Sequence, residues 1–274
     1  AMRDELPEER YINALLADLK NHLPIISNRN IHSIFIGGGT PSLFSAPSYQ
    51  KLFTQLRSHL NIPDDTEITL EANPGTVEQS RFKGYRDVGI NRLSLGVQSL
   101  QDDKLKKLGR IHSSQEAIRA VNIAKNSGFD NFNLDIMYGL PQQNIADALF
   151  DLKNALALAP KHLSWYQLTL EPNTYFHKFP PQLPNDDLIA EIHDAGQQLL
   201  NDYGFQHYEV SAYAKSTYYC RHNINYWEFG DYIGIGAGAH SKLTDINSGA
   251  ITRHWNMKSP KDYLNADQSF IANK

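Results

Sequence analysis

Cysteine is almost missing from this chain: Cys220 is the only one among 274 residues. A single thiol excludes an internal disulfide and fits a reducing compartment, so a cytoplasmic location is expected. No apolar run approaches the roughly 18 residues that a membrane-crossing helix needs, and no secretory leader pattern opens the sequence. An excess of positive charge is missing too, with 26 Lys and Arg against 30 Asp and Glu and a net charge of −4. That balance argues against a general nucleic-acid binder, whose phosphate contacts call for a basic surface. Low-complexity tracts, charge blocks and short repeats are also absent. What remains is 41% hydrophobic and 20% charged, the composition of a globular protein able to bury one large core.

Short β-branched and aromatic runs near residues 32–37, 66–72, 91–97, 131–137 and 163–170 read as strands, with helical patterns between them. Such repeated strand–helix units predict an α/β fold with a parallel sheet. Tyr11, Leu15, Leu16 and Leu19 draw an apolar stripe on the first helix, and Leu149, Leu152 and Leu156 do so on a later one. Thr76-x-x-Gln79 and Ser113-x-x-Glu116 carry the capping-box pattern. Gly89, Gly128 and Gly204 stand where helices should stop.

Each strand runs into a polar signature. The first ends in Gly37-Gly38-Gly39-Thr40-Pro41-Ser42, where three residues without side chains expose their backbone N–H and C=O groups to a ligand. The next ends lead to Glu71-Ala72-Asn73-Pro74, to Gly96-Val97-Gln98-Ser99, to Asp135 and Tyr138-Gly139-Leu140-Pro141, and to Glu171-Pro172-Asn173. In a parallel βα architecture these ends share one rim, where ligand and catalytic groups collect. A ring of Glu, Gln, Asp and backbone donors suits a ligand carrying hydroxyls, an amine and a carboxylate. Taken singly, each residue has a plainer reading as a turn, a loop residue or a helix N-cap. Their recurrence on successive strands favours a rim site.

These motifs, together with Leu108-Gly109-Arg110 and the run from Asn133 to Pro141, resemble the radical SAM superfamily. More narrowly they resemble its coproporphyrinogen III oxidase branch, which includes the oxidase group HemN and the haem-chaperone group HemW. The resemblance runs from about residue 3 to about residue 255. It implies a partial (βα)6 barrel that holds S-adenosylmethionine (SAM) against a [4Fe–4S] cluster. It also implies that Gly38, Gly39 and Thr40 contact the methionine amino group and that Glu71 meets the ribose hydroxyls or the amine. Gln98, Arg110 and Asp135 would contact SAM, or a second SAM molecule. The residue types agree, since carboxylates accept from hydroxyls and ammonium and Arg offers a fork to a carboxylate. Arg110 is alternatively a surface residue at a helix end. The Cys-x-x-x-Cys-x-x-Cys segment that carries the cluster in that superfamily is not in the sequence, nor is the first barrel strand. The expectation is a shortened chain that keeps the SAM half of the site but neither assembles the cluster nor cleaves SAM.

His222-Asn223-x-x-Tyr226-Trp227 resembles a motif of the haem-chaperone group that the oxidase group lacks. The resemblance implies haem contacts by His222, Tyr226 and Trp227, with an imidazole on the iron and aromatic rings on the porphyrin face. Cys220 is a competing ligand, and the plainer reading has His222 hydrogen-bonded in a loop that the aromatics anchor. The glycines of residues 230–241 depart from the dinucleotide-loop spacing. In the resembling family that segment closes over the adenosyl end of SAM, which makes His240 a SAM neighbour, a second haem-ligand candidate or a structural residue. The expected organisation is a partial barrel over 1–180, a closing extension over 181–255 and the start of a further region over 256–274. The expected function is a haem chaperone that passes haem to a receiving protein, with the oligomeric state left open. The alternative is a radical oxidase that decarboxylates coproporphyrinogen propionates through a 5′-deoxyadenosyl radical. A phosphate-binding barrel is disfavoured, because Glu71, Asp135 and Glu171 would repel the ligand.

Overall fold

The structure is a computed structural model that describes residues 7–26, 29–75, 79–266 and 269–273, so the capping box expected at Thr76 lies outside the described residues. The five expected strands form at β1 (Ser33–Ile36), β2 (Glu67–Ala72), β3 (Arg92–Gln98), β4 (Phe132–Tyr138) and β5 (His162–Gln167). Only the fifth departs by more than a residue or so, ending at Gln167 rather than 170. The α1 helix (Glu8–Ile26) precedes them, and between them run α2 (Ala46–His59), α3 (Phe82–Asp87), α4 (Asp102–Lys107), α5 (Ser114–Asn126) and α6 (Ile145–Ala157). Then follow α7 (Tyr175–Lys178), α8 (Asp186–Asp202), β6 (Gln206–His207), β7 (Ala212–Ala214) and α9 (Arg221–Trp227). The last elements are β8 (His240–Thr244), β9 (Ile251–Asn256), α10 (Pro260–Leu264) and β10 (Ile271–Asn273).

The α/β expectation holds. Seven strands make one sheet in the order β1-β2-β3-β4-β5-β7-β6. Strands β2 to β5 pair in parallel, and β7 runs antiparallel to both β5 and β6. Local chemistry sets the helix limits. Ser113 with Glu116 closes a full capping box on α5, as its sequence pattern predicts, and Asn144 with Asp147 does the same on α6. Gly89, Gly128 and Gly204 each follow a helix with positive φ, the conformation that ends the hydrogen-bond ladder.

The chain divides into two compact units. One comprises Phe35–Leu43 and Ile68–Cys220 and contains nearly all of the seven-stranded sheet. Its strands alternate: Leu93, Leu95, Val97, Leu134 and Ile136 are fully buried and apolar, while the intervening positions are polar or glycine. Thus Thr69 and Glu71 on β2, Arg92, Ser94, Gly96 and Gln98 on β3, Asn133 and Asp135 on β4, and His162, Ser164 and Tyr166 on β5 share one face. The register sets them side by side, with Glu71 beside Ser94, Ser94 beside Asn133, and Asn133 beside His162. The opposite face packs under helices. There the Trp165 ring lies stacked on His193 of α8, with ring centroids 6.0 Å apart.

The other unit comprises Ala1–Ile34, Phe44–Glu67 and Arg221–Lys274, with a three-stranded antiparallel sheet ordered β10-β9-β8. Its centre is a buried carboxylate on α1. Asp18 Oδ2 accepts from the Gly236 N–H at 3.1 Å, Asn256 Nδ2 at 2.7 Å and the Tyr263 hydroxyl at 2.8 Å. The α9 helix is tied at its start, where the Arg221 N–H donates to Glu67 Oε1 at 3.0 Å. No helix among the described residues is long and apolar enough to cross a membrane.

Candidate functional site

The polar sheet face opens into a cleft of about 160 Å³. Gly39, Thr40, Pro41 and Ser42 form one wall, directly after β1. Glu71, Ala72 and Asn73 come from the end of β2, Ser94, Gly96 and Gln98 from β3, and Asp135 from β4. The lining is dominated by acceptors and contains no cation, the composition that a cationic or hydroxyl-rich ligand requires. The cleft therefore gathers Gly39, Thr40, Glu71, Gln98 and Asp135 from the residues that the sequence singles out.

Glu71 is bound to the glycine loop. Its Oε2 accepts from the Gly38 N–H at 3.0 Å, so this donor is engaged by the protein. A side chain at Gly37 would stand 2.9 Å from the Glu71 carboxyl and 2.7 Å from the Phe35 ring, so it would have to displace both. Gly38 and Gly39 follow with φ of 79° and 63°. The loop thus bends around the carboxylate instead of hanging free.

Gln98 occupies a strained position. It is a non-glycine residue at φ 70°, where the β3–β4 register slips between Leu95 and Gln98. Such a bulge re-aims a side chain, and local strain of this kind collects at functional sites. The Gln98 Oε1 accepts from the Tyr166 hydroxyl at 2.7 Å. Burial pushes that phenol up to about 12, so it stays a donor. Asp135 lies deeper. Burial pushes its carboxyl up to about 6, hydrogen bonds from Asn133 and Ser164 pull against that rise, and the Glu71 charge adds to it.

Ser99, next to Gln98, has a structural task. Its hydroxyl donates to Asp151 Oδ2 on α6 at 2.7 Å, and the Leu100 N–H donates to Oδ1 at 2.8 Å. Asp151 is fully buried, and burial raises its carboxyl. Ser99→Ala is expected to cost about 1–3 kcal/mol, because a buried charge acceptor loses a donor. A chemical denaturation midpoint indistinguishable from the parent would refute this.

Other expected positions lie elsewhere. Arg110 is exposed after α4, and Glu171 is exposed beyond β5, where Thr169 donates to it at 2.9 Å. Neither lines the cleft. His222, Tyr226, Trp227 and His240 belong to the other unit. His222 meets Tyr226 edge-on with centroids 4.9 Å apart, and Tyr226 and Trp227 are exposed. His240 is exposed at the start of β8, stacked at 6.0 Å on Trp255. Cys220 is buried, which withdraws its thiol from a surface ligand. Among the described residues no group of three His, Cys, Asp or Glu could hold a metal ion. The cleft also uses Ser42, Asn73, Ser94 and Gly96, to which the sequence reading assigns no separate role. Ser94, Gly96 and Gln98 alternate with leucine and valine, so the two-residue period already carried that signal.

Residues 6–154 match the model of the radical SAM superfamily. The chain is 54% identical to the heme chaperone HemW of Haemophilus influenzae over 97% of its length and 70% of the relative's. It is 52% identical to the heme chaperone HemW of Escherichia coli, over 96% of this chain and 70% of that one. Among solved structures it resembles the coproporphyrinogen III oxidase HemN of Escherichia coli, described as a radical SAM enzyme, with a TM-score of 0.80 and 23% identity. That likeness covers 96% of this chain and 64% of the oxidase, and it concerns the fold.

Proposed function

The chain belongs to the radical SAM superfamily and within it to the HemW family, and from that premise we propose a cytoplasmic haem chaperone whose sheet cleft binds SAM. The observation that carries the SAM assignment is the cleft's ring of acceptors around the glycine loop. Asp135, Glu71 and Gln98 are the groups that would receive a methionine ammonium and ribose hydroxyls. Gly39 and Thr40 would border the methionine end. A buried Ser42 hydroxyl without a partner supports the fit, since it lines the same cleft and a ligand's polar group would satisfy it. Arg110 and His240 would approach SAM only outside this lining.

SAM in this superfamily is used with a [4Fe–4S] cluster, whose irons need three thiolates. The residues present do not fit that group, because Cys220 is the only cysteine and is buried. Nothing proposed for the cleft is therefore routed through it. The roles of its residues are to bind and orient SAM.

The haem assignment rests on kinship with the HemW relatives and on α9. There the half-buried His222 sits one turn from exposed Tyr226 and beside exposed Trp227. An imidazole with two accessible aromatic rings is a sound platform for an iron porphyrin. Delivery to a haem-receiving protein completes the proposal, as does an organisation of barrel (1–180), closing extension (181–255) and start of a further region (256–274). A haem titration followed by absorbance is expected to show stoichiometric binding that His222→Ala weakens, with a changed Soret band. An identical spectrum and affinity would remove His222 as ligand. Absence of binding by the parent would favour the oxidase reading and make porphyrinogen decarboxylation the next assay.

A further inference from the structure

The polar sheet face continues beneath the cleft as an unbroken hydrogen-bonded chain. Asn133 Nδ2 donates to Asp135 Oδ1 at 2.8 Å and to the Ser94 hydroxyl at 2.8 Å. On its other side, Asn133 Oδ1 lies 2.6 Å from His162 Nδ1 and 3.1 Å from the Ser164 hydroxyl, whose single proton serves either this oxygen or Asp135. His162 Nε2 lies 2.6 Å from the Tyr208 hydroxyl, which accepts the Cys220 N–H at 3.2 Å. We propose that His162 and Tyr208 are positioning residues for Asp135, acting through Asn133 to keep the cleft carboxylate aimed and supplied with an N–H donor. The proposal rests on the reading of this cleft as the SAM site.

The direction of every bond in the chain follows from the carboxylate end. An ionised Asp135 can only accept, so Asn133 gives it Nδ2 and turns Oδ1 to His162, while the Tyr208 hydroxyl accepts the Cys220 N–H and donates to His162 Nε2. The imidazole then carries its proton on Nδ1, which donates to Asn133 Oδ1, since an amide oxygen only accepts. That tautomer in turn holds the amide with its Nδ2 toward Asp135. A reversed histidine tautomer would set a lone pair against the amide oxygen and favour a flipped Asn133, with oxygen facing carboxylate. Burial holds His162 well below its ordinary titration range, and the Arg92 charge adds to this, so the ring stays neutral and its direction holds. The charged and titratable groups facing Asp135 are Glu71 from β2, Arg92 from β3 and Tyr166 from β5. Glu71 and Arg92 oppose each other there, so the Asn133 donor is the contribution that the relay controls.

A polar layer that merely satisfied the core would stabilise the fold without tuning Asp135. The two roles separate in the unliganded 274-residue chain, with the Asp135 carboxyl followed by ¹³C NMR against pH. The parent midpoint is expected near 6. Tyr208→Phe is nearly isosteric and should raise it by about half a pH unit or more, because a donor to the charged form is lost. In the same variant ¹⁵N NMR should show His162 leaving the single Nδ1–H tautomer. His162→Leu should raise the midpoint at least as far, while His162→Asn, whose amide nitrogen can replace Nδ1, should restore it. A midpoint unmoved in folded Tyr208→Phe protein overturns the proposal, as does an equal rise in His162→Leu and His162→Asn. Because no ligand is present, either result is independent of whether SAM binds the cleft.

Discussion

Asp135→Ala is expected to weaken SAM binding about 10- to 100-fold while leaving the sheet folded. A hydrogen bond to a charged group contributes about 1.5–3 kcal/mol, and each 1.4 kcal/mol is a factor of ten in affinity. The residue lies on the cleft side of β4, so its removal takes away a ligand contact rather than core packing. A pH signature accompanies the loss. Only the ionised carboxylate can accept from an ammonium or hydroxyl, and burial places its titration at about 6. Affinity should therefore be full above pH 7 and fall as pH drops through 6, and Asp135→Asn should flatten that slope. Calorimetry on cluster-loaded protein that includes the superfamily's cysteine segment reads both. Equal affinity for parent and alanine variant would remove Asp135 from the site.

Gly196→Ala should be the most damaging single methyl group in the sheet-containing unit. In an exposed helix the same change stabilises by about 1 kcal/mol, since alanine has the higher helix propensity. Here a Cβ would fall 1.9 Å from Trp165 Cη2 and about as close to two further ring atoms, at 2.5 and 2.6 Å. The ring cannot swing aside, because it is 2% exposed and held among Tyr138, His193 and Tyr213. Overpacking of a rigid aromatic reverses the sign, with a net cost of about 3 kcal/mol. For a chain of this size that lowers the melting temperature by about 6–12 °C. Trp165→Phe should recover part of the loss in the double variant, a coupling that independent sites do not show. A thermal scan in which Gly196→Ala melts at or above the parent temperature would contradict the packing argument.

The second effect arises from a contact between residues distant in sequence, and that marks how far the sequence could be read. Strand positions were legible because buried apolar runs stop at Gly, Pro and Asn, and helix ends because Gly89, Gly128 and Gly204 sit one step past them. Glu71, Gln98 and Asp135 were legible as rim residues because they recur after successive strands. The Gly38–Glu71 bond was not, since it joins a loop to a neighbouring strand 33 positions away. Nor was the backbone at Gln98, a non-glycine residue in a conformation that glycine usually takes. Asn133, His162 and Ser164 followed the same alternation as Asp135. Alternation alone does not say which face holds the ligand, and neighbouring strands had to be in register before the polar layer emerged.

The buried Asp18 has a bearing on how the protein is made. Its partners are Gly236, Asn256 and Tyr263, the last 245 positions further along the chain. During synthesis α1 leaves the ribosome 218 to 245 residues before Gly236 and Tyr263, which donate to its inward carboxylate. The sheet-containing unit ends at Cys220 and can be complete before them. The α1 helix therefore settles only after those residues are made, and until then its apolar and acidic face is left for chaperones to cover.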